Sequence, residues 1–177
     1  MNTPLMSDEI LFEGRVIRVA KRSGRWEVVF HAPAVCVLAL RGERGREEVL
    51  LVEQLRPAVG QVTWELPAGL VDPGETPAAA ARRELAEEVG LAGTLTQLAE
   101  VYSSPGFTDE KVTLFMATDL HTVARAGGDE GEEVAFAWRP LRETWARVAA
   151  GEVASSAPTL LGLTYALGRA GALAEPS

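Results

Sequence analysis

From Ala32 to Leu40 the chain reads APAVCVLAL, and from Glu48 to Gln54 it reads EVLLVEQ. Both short apolar runs have strand character. The charged turn RGERGRE separates the two runs, and Pro57 should end the second. Upstream, ILFEGRVIRVAKRSGRWEVVFHA alternates apolar and polar positions around Ser23-Gly24, which predicts an N-terminal hairpin of two strands between Ile10 and His31. Downstream, Val62–Leu66, Thr94–Tyr102, Lys111–Leu120 and Val134–Trp138 have strand character. Helical spacing marks Pro77–Val89, Pro140–Ala150 and Ser156–Ala170. Residues 1–8 form a polar lead, His121 to Glu133 a Gly-rich acidic loop, and the last residues a frayed tail. Strands interleaved with a few helices, without regular βαβ alternation, fit a mixed-sheet α+β or α/β/α sandwich.

Composition narrows the function. A length of 177 residues suits one domain with a real core. A net charge of −8 argues against a broad nucleic-acid-binding surface. The single cysteine, Cys36, lies in an apolar run and reads as a buried structural thiol rather than a nucleophile. The N-terminus has no basic region followed by an apolar stretch, and no apolar run reaches membrane-spanning length, so a cytoplasmic protein without a membrane partner is expected.

The unusual stretch is Gly69–Leu91, GLVDPGETPAAAARRELAEEVGL. Thr76 is placed to cap a helix, Pro77 to begin it and Gly90 to close it in the left-handed conformation. On that helix Ala78, Ala81, Leu85 and Val89 form an apolar stripe, with Glu84, Glu87 and Glu88 crowded on its flank. Glu84 and Glu88 are a like-charge i,i+4 pair, which costs about 0.2–0.5 kcal/mol without a cation. Arg83 relieves part of this. Oxygen ligands without His or Cys suit a hard divalent ion such as Mg²⁺, or Mn²⁺, and therefore a phosphate-bearing substrate. A solvated charged face would account for an arbitrary glutamate pair, but not for the full spacing.

That spacing, Gly69, five residues, Glu75, seven residues, then RELAEEVGL from Arg83 to Leu91, resembles the Nudix box, G-x5-E-x7-R-E-U-x-E-E-x-G-U with U aliphatic, at every fixed position. The resemblance implies metal ligation by Glu84, Glu87 and Glu88 with the Ala68 carbonyl oxygen. It also implies a structural role for Gly69, Gly90 and an Arg83–Glu75 ion pair.

WELPAG at Trp64–Gly69 and SPGFTDE at Ser104–Glu110 resemble segments of ADP-ribose pyrophosphatases. So do Glu27-Val28-Val29 and Glu53-Gln54-Leu55-Arg56, with Leu55 in place of an aromatic residue. This resemblance implies hydrolysis of ADP-ribose to AMP and ribose 5-phosphate. Substrate would be contacted by Arg56, Glu65, Pro105, Gly106 and Phe107, with Trp26 offering a ring for the adenine. Glu87 would share in catalysis, and the general base would be Glu132, or Glu130, on the acidic loop. Other nucleoside diphosphate derivatives, or a non-catalytic ADP-ribose-binding regulator, are the alternatives. The implied organisation is an extension over residues 1–31, a catalytic domain over 32–171 and a tail over 172–177. A homodimer through the N-terminal strands is implied as well.

Overall fold

The computed structural model describes residues 7–125 and 135–169. Three strands come first: β1 (Asp8–Glu13), β2 (Ile17–Arg22) and β3 (Trp26–His31), forming an antiparallel sheet of their own. The predicted two-strand hairpin is thus a three-stranded sheet. Gly14 breaks the first half of the pattern, its N–H bonding to the Ile17 carbonyl at 2.9 Å, so that Asp8–Glu13 folds back on Ile17–Arg22. Ser23 and Gly24, with φ of 52° and 67°, make the predicted tight turn.

The main sheet holds β4 (Ala34–Arg41), β5 (Glu48–Arg56), β6 (Gln61–Glu65), β7 (Ala68–Leu70), β8 (Leu91–Tyr102), β9 (Lys111–Thr122) and β10 (Ala135–Pro140). Its spine runs β10-β5-β4-β9-β8, with β6 on β5 and β7 on β4. The β4–β9 pair is parallel and the others antiparallel, so the sheet is mixed. β4 pairs with β5 at Leu40 and Arg41. Farther back it pairs instead with β7 at Ala34–Cys36, while β5 takes β6. β8 and β9 each extend beyond their predicted spans, because alternation fades where a strand leaves the core while the backbone ladder continues to Leu91 and Thr122.

Both faces of the spine are covered, which is why its strands read as unbroken apolar runs. Val35, Val37, Leu50, Val52, Phe115 and Ala117 meet helix α1 (Pro77–Val89) through Ala80, Ala81, Leu85 and Val89. The stripe on α1 is therefore turned slightly from expectation: Ala80 is fully buried and Ala78 only half-buried. On the other face Cys36, Leu38, Val49, Leu51, Leu114 and Met116 pack against α2 (Leu141–Ala149) and α3 (Ala157–Arg169) through Leu141, Leu163, Ala166 and Leu167. This is the expected α/β/α sandwich. Among the described residues no helix is long and apolar enough to cross a membrane.

Candidate active site

Three consecutive elements build the site. β6 ends in Glu65, Leu66 anchors the following turn in the core, and Pro67 gives its carbonyl to the Val37 N–H at 2.8 Å. The short β7 is thereby fixed at the edge of β4. Helix α1 then packs across it. The Thr76 hydroxyl accepts from Ala79 N at 3.2 Å, Pro77 begins the helix, and Gly90 closes it at φ 66° with its N–H on the Ala86 carbonyl at 3.0 Å.

The contact between α1 and β7 brings the carboxylates to the backbone. Glu88 Oε2 accepts from the Ala68 N–H at 3.0 Å. Glu84 lies so close over Gly69 that a Cβ on that residue would fall 1.9 Å from Glu84 Oε1. The glycine is therefore required by Glu84, not by a turn. Arg83 joins the pieces: Nη1 donates to Glu84 at 2.6 Å and to Glu87 at 3.3 Å, and Nη2 to the Leu70 carbonyl at 2.9 Å. Its Nε and Nη2 fork onto Glu75 at 3.2 and 3.0 Å. The Arg83–Glu75 pair holds loop to helix, as the sequence implied.

Electrostatics differ among these carboxylates. Burial pushes Glu88 up to about 8, against the Ala68 hydrogen bond. Burial also raises Glu84 despite Arg83, whereas the Arg83 fork holds Glu75 below its ordinary value. Burial works against ionisation at both positions, and a cation bound there would offset it. Among the described residues no three acidic, imidazole or thiol groups are gathered tightly enough to hold a metal ion as they stand. The donor set nevertheless fits a hard divalent cation: all its ligating atoms are oxygens, two carboxylates are raised by burial, and Gly69 leaves the room that Glu84 occupies.

Nearby, Glu65 is almost fully buried and receives the Arg56 guanidinium as a fork, Nε–Oε1 at 3.0 Å and Nη2–Oε2 at 2.9 Å. Thr63 adds a 2.6 Å bond to Glu65 Oε1. Burial opposes ionisation of Glu65, but the Arg56 and Thr63 bonds prevail and hold it below the usual value. Glu65 thus orients Arg56 from inside the fold. Thr63 was missed in the sequence, though the strand period of two places it on the face of Glu65.

Pro105, Gly106 and Phe107 form a turn, with Phe107 and Thr108 N–H groups on the Ser104 carbonyl, and the Phe107 ring is exposed. This loop leads into β9, where Val112 pairs with Ala34, itself paired with Leu70. It therefore stands at the end of the sheet occupied by β7. Trp26 is not brought to this cluster within the chain. It starts β3, stacks under Arg25 at 4.5 Å, and is separated from the loop contact at Val29 by about 10 Å of strand. Glu130 and Glu132 lie outside the described residues. The chain leading toward them is tied to α1, with Val123 N–H on the Gly90 carbonyl and Arg125 Nε on the Glu87 carbonyl, both at 2.9 Å.

A family model of the NUDIX domain matches residues 30–160, nearly the whole sandwich. The chain belongs to the Nudix family. This Nudix chain is 41% identical over 133 residues to an ADP-ribose pyrophosphatase of Mycobacterium tuberculosis, covering 73% of this chain and 63% of the relative. It is 38% identical over 125 residues to an ADP-ribose pyrophosphatase of Bacillus subtilis, covering 65% of each. The chain thus spans a little under two thirds of those relatives' length. A methanol dehydrogenase activator of Bacillus methanolicus is 35% identical, with 71% of this chain and 72% of the relative covered. The fold is shared with a crystal structure of an ADP compounds hydrolase at TM-score 0.68 and 22% identity, covering 98% of both chains.

Proposed function

We propose that this Nudix chain hydrolyses the diphosphate of ADP-ribose to AMP and ribose 5-phosphate, with Mg²⁺, or Mn²⁺, held by Glu84, Glu87, Glu88 and the Ala68 carbonyl. The observation that carries this reading is the seating of α1 on β7, which puts Glu84 against Gly69 and Glu88 on the Ala68 N–H. When bound, the cation supplies charge to offset the diphosphate oxygens and to acidify water. The chain supplies the rest. Arg56, half-exposed and pre-oriented by Glu65, offers its guanidinium to phosphate. Phe107, with Pro105 and Gly106, forms a wall for the substrate. Glu132, or Glu130, takes the proton of the attacking water, with Arg125 tying the preceding chain to α1.

ADP-ribose is favoured over other nucleoside diphosphate derivatives by the two relatives bearing that name and by the Ser104–Glu110 segment. The N-terminal sheet carries exposed Ile10, Leu11, Phe12, Val16 and Ile17, an apolar surface suited to a second copy. In such a homodimer Trp26 serves the site of the partner, and the extension over residues 1–31 acts as the dimer element of the 32–171 catalytic domain. The setting is cytoplasmic, where free nucleotides are the available substrates, with no nucleic-acid or membrane partner. A second reading, a regulator that binds ADP-ribose without cleaving it, is favoured by the likeness to the methanol dehydrogenase activator.

The test is nucleoside monophosphate release, AMP from ADP-ribose, FAD and NADH and GMP from GDP-mannose, with Mg²⁺, Mn²⁺ or EDTA. ADP-ribose should lead, and EDTA should abolish turnover. Unaltered turnover in Glu84→Gln and Glu88→Gln would sink the assignment of ligands. Binding without cleavage would favour the regulator.

A further inference from the structure

The three-stranded N-terminal sheet and the Ser103–Glu110 loop are joined by a set of polar contacts that neither the box nor the core requires. Val29 N–H donates to the Phe107 carbonyl at 2.7 Å, and Asp109 N–H returns to the Val29 carbonyl at 3.3 Å. At the end of β3, His31 closes the join twice. Its backbone N–H donates to Asp109 Oδ1 at 3.0 Å, and its ring Nδ1 lies 2.8 Å from the Ala32 carbonyl and 3.1 Å from Glu110 Oε1. His31 thus turns Nδ1 toward the Ala32 carbonyl and brings it within ion-pair distance of the Glu110 carboxylate. The loop is braced from its own side as well, by Ser103 N–H on the Glu110 carbonyl and Glu110 N–H on Thr108 Oγ1.

We propose that His31 is a positioning residue: through Glu110 its ring latches the Ser103–Glu110 loop to β3 and so holds Phe107 in place, at the end of the sheet occupied by β7, before substrate arrives. This rests on the functional reading above, since it gives the loop a substrate to meet. The geometry assigns the latch a role in binding rather than in the chemical step. None of its groups reaches the Glu84–Glu88 cluster in any described contact, and it orders a wall that substrate would otherwise have to order on binding.

The experiment compares wild type with His31→Ala and His31→Asn, the asparagine amide standing where Nδ1 stands. Steady-state kinetics on ADP-ribose with Mg²⁺ should show KM raised about tenfold in His31→Ala, as for loss of one polar contact partly open to water, with kcat within about twofold. His31→Asn should recover most of the affinity. Hydrogen exchange, which needs no substrate, should show faster exchange at Val29 and Asp109 in His31→Ala and near wild-type protection in His31→Asn. Unchanged exchange in His31→Ala, or a fall in kcat at constant KM, overturns the latch. If wild type fails to cleave ADP-ribose, the functional reading falls on that result alone, and the exchange measurement still decides whether His31 holds the loop.

Discussion

Replacing Gly69 by alanine tests whether this glycine exists for the sake of a carboxylate. Its φ is not in the left-handed region, so alanine meets no backbone objection. The conflict is with one group: the new Cβ would lie 1.9 Å from Glu84 Oε1 and 2.1 Å from Glu84 Cδ, where ordinary contact begins at 3.4 Å. The carboxylate must retreat by about 1.5 Å, or β7 must separate from α1. Moving the end of a glutamate side chain is the cheaper response, costing about 0.5–1.5 kcal/mol as an off-rotamer χ. Part of the 2.6 Å Arg83–Glu84 bond is lost with it. A loss near 1 kcal/mol lowers the melting temperature of a chain this size by about 2–4 °C.

The effect on turnover should be far larger, because a displacement of about 1 Å in a group that positions reactants can cost about 100-fold. Gly69→Ala should therefore melt within a few degrees of wild type while kcat/KM for ADP-ribose falls about 100-fold. A double-mutant cycle isolates the route. In a Glu84→Ala background no carboxylate remains to be displaced, so adding Gly69→Ala should change kcat/KM by less than about threefold. Near-normal turnover of Gly69→Ala, or full additivity with Glu84→Ala, would refute the claim that the glycine acts through Glu84.

Three further outcomes follow from the same geometry. Because Glu65 is held below its ordinary value of 4.5, its contribution to stability is present above pH 4.5 and is lost as pH falls through its lower folded value. Glu65→Gln should then cost about 1 kcal/mol at pH 7, a figure discounted for the exposure of Arg56, and the difference should shrink as the pH is taken progressively below 4.5 in urea unfolding. Cys36 is buried and its thiol is pushed up to about 12, so the native protein at pH 8 should resist iodoacetamide while the urea-unfolded chain is fully labelled, as read by mass spectrometry. In α3, a Cβ at Gly162 would sit 2.6 Å from Leu66 Cδ1 in the core, so Gly162→Ala should lose about 1 kcal/mol by overpacking despite the better helix residue, and an unchanged urea midpoint would count against it.

The sequence disclosed most where a single physical cause wrote the pattern. Burial on both faces wrote the continuous runs of β4 and β5, and the helix signals at Thr76, Pro77 and Gly90 placed α1 to the residue. It disclosed least where polar residues meet across the fold. Alternation in the first thirty residues suggested two strands, but β1 is exposed along its whole length, so nothing in that pattern reported burial. Trp26 looked like a ring for adenine, and only the register of β3 shows that the end of the strand meeting the loop is the one bearing His31. His31 and Asp109 are 78 positions apart, and no periodicity within either segment could pair them. The box shows the same division. Its spacing placed three glutamates on one flank, whereas the reason for Gly69 at its head appears only when α1 is packed on β7 and Glu84 occupies the space a side chain would have filled. A glycine fixed by a turn would tolerate any change in Glu84, and a glycine fixed by Glu84 would become replaceable once that carboxylate is gone, which is why the double-mutant cycle discriminates between the two.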